Sequence, residues 1–174
     1  MNWNDELDMR LFQFSNKHII KEGEEAVSIK VRAEGGCFHK SCCPYALHII
    51  YNKMKEMNND EFQYIEHESG PEIIAYISLA ASSVLLAKSV IELITTIIKA
   101  RFEGQKNGDG HKGNPVTLII RKTQKEKEVI EEQIMTFTES DIISQEIVSK
   151  LLTDGYNRLK EKEKSGKNGK GKET

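Results

Sequence analysis

Residues Ile73–Arg101, IIAYISLAASSVLLAKSVIELITTIIKAR, form the longest apolar stretch of the chain and decide which fold is predicted for it. At ~100° per residue, the serines, threonines and charged residues of this stretch collect on one side of a helix, and the aliphatic residues collect on the other. The polar side contains Ser78, Ser82, Lys88, Ser89, Glu92, Thr95, Thr96 and Lys99. The pattern predicts one long amphipathic helix with a buried face formed by Tyr76, Leu79, Leu86, Val90, Leu93, Ile94, Ile97 and Ile98.

The ends of this predicted helix carry helix-terminus signals. Ser69 and Glu72 have the spacing of a capping box, and Pro71 would lie in the first turn, where a missing N–H costs nothing. Lys99 and Arg101 would lie in the last turn, near the negative end of the helix dipole. The helix is therefore predicted to begin after Ser69 and to end at Arg101.

A membrane span at residues 73–98 is the alternative, because ~20 apolar residues suffice to cross a bilayer. Such a span would place Lys88 and Glu92 near its middle, at about 2.5–3.5 kcal/mol for each charge. On a wet helix face the same two residues, four positions apart, cost nothing. We therefore favour a soluble core helix, although Ile74 and Leu85 fall in the polar sector and support the alternative.

Composition and charge favour a soluble single-domain protein. The chain has 174 residues, 38% of them hydrophobic and 30% charged, and a net charge of −2. This charge provides no electrostatic attraction to nucleic acid or to a membrane surface. The first 25 residues lack the pattern of a secretion leader, and three cysteines are too few and too clustered for a disulfide framework. These features predict a cytoplasmic location.

The remaining segments show alternating strand and helix patterns. A strand is predicted from Ala26 to Ala33, a helix from Pro44, and a short aromatic strand over residues 62–67. After a glycine-rich loop at residues 103–114, the segments 116–120 and 129–137 are predicted to pair as an antiparallel hairpin. The final helix is predicted to start near Thr138, with Asp141 in capping-box register, and to bury Ile142, Ile143, Ile147, Leu151 and Leu152. Gly155 marks a candidate kink.

Together these elements predict an α+β fold. A small sheet of about four strands packs against the long amphipathic helix and the C-terminal helix, so that the apolar faces of both helices are buried. Residues 1–25 are predicted to form an N-terminal arm of uncertain structure, and residues 26–159 a single domain. Residues 160–174 are rich in lysine and glycine and have no apolar side chain, which predicts a disordered tail.

The cluster of Cys37, His39, Cys42 and Cys43 is the first candidate for chemistry. Structural zinc sites usually combine two pairs such as C-x2-C, whereas these thiols are spaced differently and the chain has no second pair. A catalytic thiol would also need a positioned histidine and oxyanion donors. We assign no metal, no cofactor and no catalytic residue, and keep a small zinc- or thiol-dependent protein as an alternative.

No other motif predicts an enzyme. The glycine-rich loop follows a helix and opens a strand, the reverse of a phosphate-binding loop, and we interpret it as a flexible connector. Glu131 and Glu132 are neighbours on one strand and therefore face opposite ways. The sequence thus predicts a protein that is not an enzyme.

The stretch from Phe62 to Phe137 resembles the effector-associated constant component adaptor domains of bacterial conflict systems. The resemblance consists of a strand, a long Ala/Leu/Ile-rich helix that ends in basic residues, the short strand Leu118-Ile-Ile-Arg121-Lys122 and an acidic return strand. The chain departs from the family in its longer linker and in the helix after Thr138. The resemblance implies a non-catalytic connector between a sensor and an effector enzyme.

We therefore predict a non-catalytic protein–protein interaction or adaptor module in a conflict or signalling system. Its partner would be a protein such as an effector enzyme, not nucleic acid and not a membrane, and homo-oligomerisation is left open. The predicted interaction surface is the polar stripe of the long helix or the edge of the hairpin, with the residues Lys88, Glu92, Thr96, Lys99, Arg121 and Lys122.

Overall fold

A computed structural model of the protein describes residues 5, 9, 24–36, 38–57, 62–65, 73–82, 87–123 and 129–169. Of these, residues 24, 73–82, 123 and 167–169 are described by their backbone alone. The predicted N-terminal arm lies outside the described residues, apart from Asp5, Met9 and the start of the first strand. Residues 170–174 of the predicted tail also lie outside them.

Within the described residues, five antiparallel strands form one sheet, and three helices accompany it. The strands are β1 (Glu24–Ala33), β2 (Phe62–Ile65), β3 (Ile73–Ser82), β4 (Val116–Thr123) and β5 (Val129–Phe137), in the order β2-β3-β1-β4-β5. The helices are α1 (Pro44–Glu56), α2 (Lys88–Lys106) and α3 (Gln145–Gly169). The α+β class is confirmed, with five strands where about four were predicted.

The main correction concerns the long apolar stretch, of which the first part is a strand. Ile73–Ser82 is β3, in which Ile77 pairs with Ile29 of β1 and with Tyr64 of β2. The sequence of this segment is apolar nearly throughout, and such a run carries no period that separates a strand from a helix. The predicted cap at Ser69 and Glu72 lies outside the described residues.

The helix of this region is α2, which begins at Lys88 and continues past Arg101 to Lys106. Its buried residues include five of the eight that the helical pattern assigned to the apolar face, Val90, Leu93, Ile94, Ile97 and Ile98. Tyr76 and Leu79 belong to β3, Leu86 lies outside the described residues, and Thr95, assigned to the polar side, is buried. Among the described residues, no helix is long and apolar enough to cross a membrane.

Four shorter predictions are confirmed. Strand β1 begins two residues before the predicted Ala26, helix α1 begins at the predicted Pro44, and β2 occupies the aromatic segment. The hairpin of β4 and β5 is antiparallel, with a bulge between Leu118 and Ile119. These elements have clear local signals, namely alternation in β1 and an N-terminal proline in α1.

The C-terminal helix begins later and ends later than predicted. Thr138 and Asp141 do not start it: the Thr138 hydroxyl and N–H both donate to Asp141 Oδ2, at 2.8 and 2.6 Å, within the turn after β5. Ser144 caps the helix instead, its Oγ accepting the Ile147 N–H at 3.2 Å. The helix then extends to Gly169, so residues 160–169 are helical and not a disordered tail.

Ion pairs of Lys160 and Glu163 explain why α3 continues past residue 159. Lys160 Nζ lies 2.6 Å from Glu25 Oε1, and Glu163 Oε2 lies 2.8 Å from Lys122 Nζ. These ion pairs fix the helix to β1 and β4, an effect that composition alone could not indicate. Gly155 lets α3 approach the sheet, since a Cβ at this position would lie 2.7 Å from Cγ1 of Ile134 on β5.

One apolar core joins the sheet to the helices. It includes alternate residues of β1 and β4, the inner face of α2, and parts of α1 and α3. Representative fully buried members are Ile29, Leu118, Ile50, Leu93 and Leu152. The predicted apolar face of α2 lies in this core, whereas α3 buries Val148, Leu152, Tyr156 and Leu159, of which only Leu152 was predicted.

Candidate functional site

The predicted polar stripe lies on α2 beside α1. Lys88 and Lys99 are exposed. Glu92 forms an ion pair with Lys53 of α1, and this hydrogen bond raises the pKa of Lys53. The Thr96 hydroxyl donates to the carbonyl of Glu92 at 2.8 Å. Lys88 and Lys99 of the stripe are therefore exposed to solvent, whereas Glu92 and Thr96 between them are bonded to other groups of the protein.

The two hairpin residues do not form an open edge. Strand β4 lies between β1 and β5, and Arg121 is only 4% exposed. Lys122 Nζ forms ion pairs with Glu25 at 3.1 Å and with Glu163 at 2.8 Å. Arg121 and Lys122 therefore belong to the interior and to the attachment of α3, because the position that looked like a hairpin edge is covered by neighbouring strands.

Thr96 and Lys99 of the predicted polar stripe line a groove of about 420 Å³ between α1, α2 and the turn that precedes α3. We call it the α2 groove. Its apolar lining comes from Ile49, Ala100, Phe102 and Ile143, and its polar lining from Thr96, Lys99, Glu103, Lys106, Glu139 and Asp141. The volume lies within the usual range of ligand and side-chain pockets.

The turn that precedes α3 bounds one side of this groove and is held in place by polar contacts. Lys106 Nζ lies 3.7 Å from Glu139 Oε1, which joins α2 to the turn. The Thr138 N–H and hydroxyl bind Asp141 and lower the pKa of its carboxyl group. These contacts fix the first part of the turn, residues 138–141.

Ile142 lies in this turn between two groove residues and is 80% exposed. Its burial in the last helix was predicted, and that prediction was wrong because α3 begins only at Gln145. The neighbouring Ile143 packs against the core. An exposed aliphatic side chain thus lies next to a partly apolar groove.

A second candidate site lies at the start of α1, where Cys43 occupies the N-cap position. The Arg101 Nη1 donates to Cys43 Sγ at 2.6 Å, and the guanidinium carbon lies 5.6 Å from the ring centre of Phe38. Arg101 is fully buried. Burial raises the pKa of the Cys43 thiol to about 12, and the positive charge of Arg101 acts in the opposite direction.

The glycine-rich loop after α2 closes over this site. Asp109 accepts the backbone N–H groups of Tyr45 and Ala46, at 3.0 and 2.9 Å, and so caps α1. The Gly110 N–H donates to the carbonyl of Cys42 at 2.7 Å. The part of the loop interpreted as a flexible connector is therefore an ordered helix cap, a role that the sequence analysis missed.

A sequence signal for this cap existed. The residue before Pro44 is a cysteine, not Ser, Thr, Asp or Asn, so the first amides of α1 have no local acceptor. The free N–H groups at such a helix start need a hydrogen-bond acceptor from elsewhere in the chain. Sequence alone does not identify which of the 27 acidic residues supplies it.

The structure gathers only part of the predicted cysteine cluster. Cys42 and Cys43 lie side by side, with their sulfur atoms 3.5 Å apart, and the Ser41 hydroxyl contacts the His39 ring. Cys37 lies outside the described residues. Within the described ranges, no group of three His, Cys, Asp or Glu side chains is arranged to hold a metal ion.

Comparison with known proteins gave no match: no family model, no curated protein and no solved structure is significantly similar to this chain.

Proposed function

We propose that the protein is a non-catalytic interaction module that binds a partner protein through the α2 groove. The observation that carries this proposal is the exposed side chain of Ile142 beside a groove with an apolar floor. The resemblance of residues 62–137 to conflict-system adaptor domains suggests an effector enzyme as the partner. A cytoplasmic location belongs to the same proposal, because the cysteine content suits a reducing compartment.

The groove chemistry defines the type of partner segment. The apolar residues Ile49, Ala100 and Ile143 would accept one or two aliphatic or aromatic side chains, which desolvate on binding. Glu103 at the rim would favour a basic residue in the partner, and Lys99 an acidic one. A segment with an apolar centre and charged flanks matches this arrangement, and such central apolar anchors usually dominate binding energy.

Groove variants of the full chain test the proposal. The tagged wild type, Ile142→Asp and Lys99→Glu are purified from the native host, with Lys112→Glu on an exposed loop as the matched control. We expect one stoichiometric partner with the wild type and the control, and a loss of that partner with both groove variants. Calorimetric titration with the purified partner should then show at least a tenfold weaker affinity for Ile142→Asp, about 1.4 kcal/mol.

Two results would refute the proposal. One is the absence of any stoichiometric partner under native conditions. The other is a partner that all four proteins retain equally, which would place the binding surface elsewhere. Circular dichroism of each variant shows whether it is folded, so that a lost partner is not mistaken for a lost fold.

A further inference from the structure

Two thiols with unequal access lie next to each other at the start of α1. Cys43 is fully buried, whereas Cys42 is only half-buried. The Cys43 S–H donates to Cys42 Sγ at 3.5 Å. Both backbone N–H groups donate to the carbonyl of His39, at 3.1 and 2.8 Å, which fixes the two residues in one tight turn.

Arg101 supplies a positive charge at this pair. Its side chain is fully buried, Nη1 donates to Cys43 Sγ, and Nε and Nη2 lack a hydrogen-bond partner in the described part of the protein. An unsatisfied buried donor typically costs about 1–3 kcal/mol, and a guanidinium remains charged at every relevant pH. The site therefore contains a donor that would stabilise negative charge at the Cys43 sulfur.

We propose that Cys42 and Cys43 form an oxidisable dithiol whose co-reactant is a hydroperoxide. In the first step the outer thiol of Cys42 attacks the peroxide, the O–O bond breaks, and a sulfenic acid and water or an alcohol form. In the second step Cys43 sulfur attacks the sulfenic sulfur, and its proton leaves with the hydroxyl group as water. Two thiols are oxidised to one disulfide and one peroxide is reduced.

The resulting disulfide would be readily reversible. Adjacent Cα atoms across a trans peptide are ~3.8 Å apart, below the ~4.4–6.8 Å that most disulfides span. The bond would therefore be strained, and strained disulfides are the easily reduced ones. Formation would also draw the Cys43 sulfur away from Arg101 at the N-cap of α1, so oxidation should loosen the start of this helix.

Mass spectrometry of the intact, folded chain tests the proposal with hydrogen peroxide as the probe. After brief treatment, we expect the intact mass to fall by two hydrogen atoms and subsequent alkylation to modify only Cys37. The tryptic peptide Ser41–Lys53 should contain an internal disulfide between Cys42 and Cys43, and dithiothreitol should reverse both changes. The matched variant Cys37→Ser should behave in the same way. Cys42→Ser and Cys43→Ser should give no intramolecular disulfide.

Three results would overturn the proposal. They are a disulfide that forms only when Cys37 is present, stepwise addition of oxygen without a disulfide, and unchanged thiols at peroxide concentrations that oxidise free cysteine. The functions of the two sites are separable, because Ile142→Asp should lose the partner and still oxidise normally.

Arg101 is a positioning residue in this scheme, and the rate of disulfide formation in Arg101 variants tests this role. Arg101→Lys keeps the charge and Arg101→Met removes it, so disulfide formation should slow about tenfold in Arg101→Met and less in Arg101→Lys. Thermal melting confirms that each variant is folded before its rate is measured. Equal rates in the folded variants and the wild type would overturn this role of the guanidinium.

Discussion

The Asp109 carboxylate accepts the backbone N–H of Ala46 at 2.9 Å, across 63 positions of the sequence. This bond connects the loop after α2 to the first turn of α1. It supplies the acceptor that Cys43 does not provide at the N-cap. The bond therefore ties the start of α1 to the loop after α2, next to the thiol pair.

Removal of this cap should destabilise the protein. Asp109→Ala leaves the Tyr45 and Ala46 amides without their acceptor, and the free energy of unfolding should fall by about 1–2 kcal/mol. Urea denaturation followed by circular dichroism measures the change. Lys112→Ala, on an exposed position of the same loop, serves as control and should stay within about 0.5 kcal/mol of the wild type. Equal stability of the two variants would contradict the cap.

Gly104 should tolerate no side chain while Asp109 is present. A Cβ at residue 104 would lie 2.1 Å from Asp109 Oδ2 and 3.0 Å from the Ala46 Cβ. Gly104→Ala should therefore cost about 1–3 kcal/mol, typical of overpacking, despite the better helix propensity of alanine.

A double-mutant cycle isolates this clash. In the Asp109→Ala background the carboxylate is gone, so Gly104→Ala should cost clearly less than in the wild type, with a coupling of at least about 0.5 kcal/mol. Purely additive effects in chemical denaturation would show that Gly104 and Asp109 do not interact.

Acid should weaken the attachment of α3. Burial acts to raise the pKa of Glu25, but hydrogen bonds from Lys160, Lys122 and Tyr156 outweigh it and lower the pKa to about 2. Because the folded-state value is below the unfolded one, Glu25 stabilises the protein above the unfolded pKa of about 4.5, and this stabilisation is lost as the pH falls toward 2.

The variant Glu25→Gln tests this pH dependence. The wild type should be more stable than the variant at pH 7, and the difference should shrink between about pH 5 and pH 2. Unfolding by urea at several pH values measures it. The comparison with the variant is needed because the pKa values of Glu34 and Glu132 are also lowered and affect both proteins. A difference that is independent of pH would refute the assignment.

Ile142 and Ile143 should contribute very differently to stability. Ile142 is 80% exposed, so Ile142→Ser should change the free energy of unfolding by less than about 0.5 kcal/mol. Ile143 packs against the core, and Ile143→Ser should cost about 1–2 kcal/mol. Thermal and chemical denaturation compare the two variants. A large cost at Ile142 would mean that its side chain serves the fold and not a partner.

Local patterns predicted the elements that local rules specify. Alternation from Val27 to Ala33 predicted β1, Pro44 marked the start of α1, and the β-branched run at Val116 predicted β4. The same patterns failed at Ile73–Ser82, since a run that is apolar nearly throughout has no period that separates a strand from a helix. Burial also decided against Arg121, whose charge suggested a surface although its strand is internal.

The sequence by itself determined the α+β class, the apolar face of α2 and the lack of any recognised catalytic motif. Only the tertiary structure placed β3 between β1 and β2, brought Asp109 to the start of α1, buried Arg101 against Cys43 and left Ile142 exposed. The physical reason is distance along the chain. Periodicity and turn chemistry report on neighbouring residues, whereas these contacts depend on how separate segments pack together.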